Sequence, residues 1–219
     1  MASHVTQPDK HALNLEGPSG GGRLLTMMND VPVFYDCEAT CIGGLPIEIG
    51  WAFIDTSTGE IQSESHLVRP PLHWDMRPVW DPDAEKLHGI SLKELLAHGR
   101  PPFEVARRMN EVLAGRELFS DGPADDERWL RIIFDEAGLD PTFTIRRTHA
   151  DVLIAQLVTK LGWDSASYEA AKAIADRISP RTHRAEADAR HLAVLWRMIS
   201  KGTAARPYGA PESGPGSRL

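Results

Sequence analysis

The chain has 219 residues, 42% hydrophobic and 25% charged, ordinary globular usage that argues against a disordered or membrane-embedded chain and for one domain with a proper core. No apolar run approaches the ~18 residues of a membrane span, and the first thirty residues lack the basic-then-apolar order of a secretory signal, so a cytoplasmic location is expected. The net charge of -7 disfavours a uniformly basic nucleic-acid binder, but the charge is divided: Lys172 to Lys201 holds seven Lys/Arg against three Asp/Glu, and Asp121 to Asp140 holds seven acids against two arginines. A metal-collecting acidic cluster beside a phosphate-meeting basic segment fits that division, as do two solvated helix faces.

In chain order, residues 1 to 29 carry Pro8, Pro18, Gly17 and Gly20 to Gly22 without a sustained hydrophobic period, and read as a flexible leader. Val31 to Glu38, Pro46 to Asp55 and Ile61 to Val68 are expected to form a meander of three strands, the first two joined by a turn at Gly43-Gly44. Pro70 to Pro82 reads as a loop; Asp83 to Leu87, Leu92 to Ala97 and Phe103 to Leu113 read as helices. Arg116 to Ser120 is expected as a strand, Asp125 to Ala137 as a helix, Phe143 to Arg147 as a further strand, and three helices end a domain spanning 30–201. The Gly- and Pro-rich stretch 202–219 reads as a disordered tail. Strands first as a meander and then alternating with helices imply an α/β fold with a mixed sheet covered by helices.

Three segments carry chemistry. In Phe34-Tyr35-Asp36-Cys37-Glu38 the two-residue strand period puts Phe34, Asp36 and Glu38 on one face and Tyr35 and Cys37 on the other. Two carboxylates side by side at the end of an apolar strand repel and resist desolvation, which a divalent cation would relieve; a solvated strand end is the plainer explanation of such a pair taken alone. In His183-Arg184-Ala185-Glu186-Ala187-Asp188 the aspartate opens a helix and shares a face with Leu192, a position that suits a metal ligand or a structural first-turn aspartate. In Ser120-Asp121-Gly122-Pro123-Ala124-Asp125-Asp126, Asp126 precedes Trp129 and Leu130 by three and four residues and overhangs the buried face. Asp121 and Asp125 are better placed as caps or solvated charges, and Asp125 is the lesser candidate for the metal.

Together, in content and in order, these segments resemble the DEDDh exonucleases, the DnaQ-like group that includes polymerase proofreading subunits, ribonuclease T and oligoribonuclease. Asp36/Glu38, Asp126 ahead of Trp129-Leu130, and His183/Asp188 carry the resemblance, with Glu85-Lys86-Leu87-His88-Gly89-Ile90-Ser91 similar to a His-Gly-Ile segment of proofreading-type members. It spans roughly 30–201. One departure is the second motif, where many members have His-Asn-Ala-x-Phe-Asp and this chain has Asp-Gly-Pro-Ala-Asp-Asp.

The resemblance implies a ribonuclease H-like fold with a five-stranded mixed sheet and helices on both sides. It also implies two-metal hydrolysis of the 3′-terminal phosphodiester of single-stranded RNA or DNA, with Mg²⁺ or Mn²⁺. Asp36 would bridge both ions, Glu38 and Asp188 would complete one site, Asp126 would contribute to the second, and His183 would be the general base. His88 and Arg184 are candidates for substrate contact, and Arg181 for phosphate. Trp74 and Trp80 are expected to pack their loop rather than stack on bases, and Cys37 and Cys41 to be reduced thiols, Cys37 a buried one. A homodimer, a polymerase partner with the chain as its proofreading subunit, and a catalytically inactive nucleic-acid-binding module are left open.

Overall fold

The computed structural model describes residues 31–202; the expected leader, and all of the expected tail except Gly202, lie outside them. The strands are β1 (Val33–Ala39), β2 (Pro46–Ile54), β3 (Ile61–Leu67), β4 (Glu117–Phe119) and β5 (Thr144–Ile145). The helices are α1 (Pro82–His88), α2 (Leu92–His98), α3 (Pro102–Leu113), α4 (Pro123–Ala137), α5 (Ala150–Lys160), α6 (Ser165–Ile178) and α7 (Ala185–Lys201).

One five-stranded sheet runs in the order β3-β2-β1-β4-β5. The meander is antiparallel, whereas β4 runs parallel to β1 and β5 parallel to β4, so the sheet is mixed as expected. β1 is central and buries side chains on both faces, which explains its near-continuous run of large residues. Val33, Tyr35, Cys37 and Ala39 join Val105, Met109, Leu130 and Phe134 of α3 and α4 in one core. Phe34 on the opposite face joins Ile154 of α5, Ala171 of α6 and Leu192, Leu195 and Ile199 of α7. Burying Leu192, Leu195 and Ile199 contributes about 1.5–3 kcal/mol each, enough to anchor α7 across the sheet. A smaller cluster of Ile47, Met76, Ile90 and Leu95, with Trp74 and Trp80 packed against it, closes the end near α1 and α2. Trp80 also donates its indole N–H to Glu85 (2.6 Å), so both tryptophans pack their loop.

Two boundaries differ from the expectation in ways that matter. α4 begins at Pro123, two residues early, because a proline needs no hydrogen bond at the first helical position. β4 and β5 are shorter than expected. Arg146, just past β5, still donates its backbone N–H to the Leu118 carbonyl (2.8 Å), while its side chain pairs with Glu117 and that of Arg147 with Glu127. β1 and β4 pair only at Val33–Leu118 and Phe34–Phe119. Beyond Phe34 they part, and the functional groups collect in that opening.

Candidate metal centre

The alternation of β1 turns Asp36 and Glu38 to the face that α7 covers, and the parting of β4 leaves the edge of β1 without a strand partner there. Asp126, in the first turns of α4, fills that gap: its Oδ1 accepts from the backbone N–H of Cys37 at 3.2 Å. Asp126 is 3% exposed, whereas Asp125 is exposed, so the register of the second motif places Asp126 inward.

Five carboxylates meet in two groups. Asp36, Glu38 and Asp188 each bring an oxygen within 4.8 Å of the others, and so do Asp36, Asp121 and Asp126. Asp36 belongs to both. Asp121, expected as a cap or solvated charge, is instead half-buried in the second group, because β4 runs parallel to β1 and delivers its next residues to the same edge of the sheet. Local sequence held no sign of this.

Electrostatics set this cluster apart from surface acids. Burial, then Asp126 and Glu38, raise the Asp36 carboxyl well above its ordinary value. Burial and then Asp188 push Glu38 up to about 8. Burial raises Asp126 to about 7, with Asp121 adding to the effect. Carboxylates in this condition hold protons unless cations displace them. The donor atoms in both groups are all carboxylate oxygens; the nearby Cys37 thiol points into the opposite core, and burial raises its pKa. Such a set suits hard, oxygen-seeking dications such as Mg²⁺ or Mn²⁺. The residues therefore fit the expected metals.

The third segment is held by a clamp that sequence reading missed. Glu48 of β2, cross-strand partner of Glu38, is 1% exposed. It accepts from Arg184 Nε (3.0 Å) and Nη2 (2.8 Å) and from the backbone N–H of Ala185 (3.0 Å). A strand carboxylate thus caps α7, whose own N-cap residue, Arg184, makes no side-chain cap bond. Gly50 permits the approach: a Cβ there would lie 2.3 Å from the Glu186 nitrogen and 2.4 Å from the Ala185 carbonyl carbon. One signal was legible, since Glu48 interrupts an otherwise apolar strand. An unpaired buried charge is costly, so it required a partner.

The loop before α7 is tied at three points. Arg181 pairs with Asp121, the Thr182 N–H donates to Asp188 Oδ1 (2.9 Å), and Arg184 grips Glu48. Between these ties His183 adopts a left-handed backbone, φ 53°, the one non-glycine residue with positive φ among the described residues. Left-handed geometry is disfavoured for a side chain with a Cβ and persists where the surroundings over-determine it. Its exposed ring has no hydrogen bond to a described residue. The structure therefore brings Asp36, Glu38, Asp126 and Asp188 together and adds Asp121, while His183 lies on the loop bound to that cluster, its ring without a hydrogen bond or ion pair to any member of it.

The remaining candidates occupy supporting positions. His88 is buried; its Nδ1 accepts from the Ile90 N–H (3.0 Å), and its Nε2 has no hydrogen-bond partner among the described residues. Burial lowers its pKa despite Glu48 and Glu85 nearby. Arg184, expected at substrate, has its guanidinium committed to Glu48, and Arg181 to Asp121. Cys37 and Cys41 are both free.

A mixed five-stranded sheet in this order with helices on both faces is the ribonuclease H-like fold. Solved structures of E. coli exonuclease I share it: the zinc-bound single-stranded DNA complex matches with a TM-score of 0.57 and 16% identity, covering 79% of this chain and 41% of that one. The complex with a dT13 oligonucleotide matches at 0.58 and 16%, covering 78% and 41%. The complex with a dA16 oligonucleotide matches at 0.56 and 14%, covering 80% and 42%. The chain thus spans about two fifths of the exonuclease I chains it matches. No protein-family model matches it, and no curated protein matches it in sequence. Among the described residues no helix is long and apolar enough to cross a membrane.

Proposed function

We propose that the chain is a metal-dependent 3′-5′ exonuclease that hydrolyses the terminal phosphodiester of single-stranded nucleic acid, DNA or RNA, to release nucleoside 5′-monophosphates. The sharing of Asp36 by two carboxylate groups carries this reading, since one residue ligating two adjacent cations is what an in-line displacement with two metals needs. The exonuclease fold and the single-stranded DNA held by the structurally similar exonuclease I agree with it.

Asp36, Glu38 and Asp188 would hold one Mg²⁺ or Mn²⁺, and Asp36, Asp121 and Asp126 the other. Such ions, when bound, supply positive charge to the attacking and leaving oxygens. His183 takes the proton from the attacking water, imidazole being the side chain suited to proton transfer near neutral pH. The water oxygen bonds to phosphorus, and the bond from phosphorus to the 3′ oxygen of the penultimate nucleotide breaks. Glu48, Arg184 and Gly50 hold the start of α7 and so fix where Asp188 and His183 stand.

The test is incubation of 5′-labelled single-stranded DNA and RNA with the purified protein in Mg²⁺, Mn²⁺ or EDTA. Stepwise shortening from the 3′ end in either metal and none in EDTA is the expected result. Intact oligonucleotides under every condition would overturn the proposal.

A further inference from the structure

In the basic segment 172–201, Arg181, Arg184 and Arg197 pair with Asp121, Glu48 and Glu60. A second group of positive charges gathers on α4 and just past β5. A cavity of about 400 Å³, in the size range of small-molecule sites, lies between the first turn of α4 at Pro123 and Ala124 and the arginines Arg128, Arg131 and Arg147.

One acid, Glu127, lines the same cavity and serves two of the three arginines. Its Oε1 accepts from Arg131 Nε (3.1 Å) and Nη2 (2.7 Å), and its Oε2 from Arg147 Nε (2.8 Å). Glu127 thus stands as one carboxyl group against three guanidinium groups. Arg128 donates to a neutral partner, the Gly44 carbonyl, at 2.9 Å. The Glu127 side chain is 10% exposed, against 63% for Arg131 and 83% for Arg147. Each guanidinium is therefore fixed through Nε and Nη2 on its Glu127 side, and Nη1 has no hydrogen bond to a described residue, which orients the outer edge of the group in advance for an oxyanion.

The cavity is lined by the first turns of α4, the helix that also carries Asp126. β1, β4 and β5 are parallel, so Glu38, Asp121 and Arg147 all leave the sheet at one edge. Glu127 and Arg128 also follow Asp126 directly on α4.

We infer that this cavity is a phosphate-backbone subsite, with Arg131 and Arg147 gripping the single strand 5′ of the terminal bond. The inference rests on the exonuclease reading for the direction of the strand, not for the anion chemistry of the site.

Binding of fluorescent dT12 in EDTA, over a range of salt, tests it without requiring turnover. The variants are Arg131→Gln/Arg147→Gln and, so that Glu127 is not left buried without partners, Glu127→Gln/Arg131→Gln/Arg147→Gln. The control is Arg107→Gln/Arg177→Gln, which removes as much positive charge far from the cavity in sequence. Each folded subsite variant is expected to bind at least tenfold more weakly than wild type at low salt, with the slope of log K against log salt reduced by about 1.4, or ~0.7 for each lost phosphate contact. Equal affinity and slope in variants and control, or no dT12 binding by a wild type that does degrade DNA, would overturn the subsite. Salt-dependent, arginine-dependent binding by a wild type that cleaves nothing would support the subsite while removing the exonuclease proposal.

Discussion

The two halves of the carboxylate cluster are built differently. The Glu38–Asp188 half is clamped by long-range contacts: Glu48 holds Arg184 and caps α7, Gly50 admits the helix against β2, and Thr182 is tied to Asp188. The Asp121–Asp126 half rests on fewer ties, the Cys37 N–H to Asp126 and the Arg181 pair to Asp121. The first half is held by contacts that reach across 136 residues of chain to the buried Glu48 and is intolerant of change. In the second half Asp126 is buried, and Asp121, at the mouth of the parting strand pair, has more freedom to adapt to what it binds. Asp36 joins the two.

Substitutions separate the halves. Asp36→Ala, which removes the shared ligand, should reduce nuclease activity to background, read by product release from labelled oligonucleotide in Mn²⁺. His183→Ala should lower kcat by about 10²–10⁴-fold, the usual contribution of a positioned base, while the protein still binds Mn²⁺. Gly50→Ala drives a methyl into the backbone of residues 185–186 and should displace the clamped half alone. A destabilisation of about 1–3 kcal/mol in urea unfolding and a loss of kcat of about 10²-fold are expected.

A smaller effect concerns pH. Glu38 and Asp126 have folded-state pKa values of about 8 and about 7, raised from 4.5 and 3.8. The folded state therefore holds protons more tightly than the unfolded chain. Their protonated forms carry no ionisation penalty, so stability from these groups is full below the ordinary carboxylate values of 3.8 and 4.5 and is lost progressively as pH rises from there through the folded values of about 7 and about 8. In EDTA the Tm should fall across that window, and Mg²⁺ should restore it. The smallest effect belongs to Asp125→Asn, since Asp125 is exposed beside the cluster; activity within about twofold of wild type is expected.

The same contrast explains what could be read in the sequence. Strand alternation placed Asp36 and Glu38 on one face, and helical spacing placed Asp126 and Asp188 inward, because both periodicities are local. Asp121 was misread because its position depends on the parallel pairing of β1 with β4, a long-range event marked by only two residue pairs. Glu48 announced itself as an acid in a buried strand, but its partner Arg184 lies 136 residues away. That arginine looked free for substrate for this reason. Gly50 had no local sign, because what it admits is the backbone of a helix formed much later in the chain.

The central claim is that Asp36 is common to two cation sites, and Mn²⁺ titration followed by electron paramagnetic resonance tests it directly. Wild type should bind two Mn²⁺ with spin coupling between them, and a folded Asp36→Asn should lose the coupled pair. One Mn²⁺ in wild type, or an unchanged coupled pair in Asp36→Asn, would contradict the account.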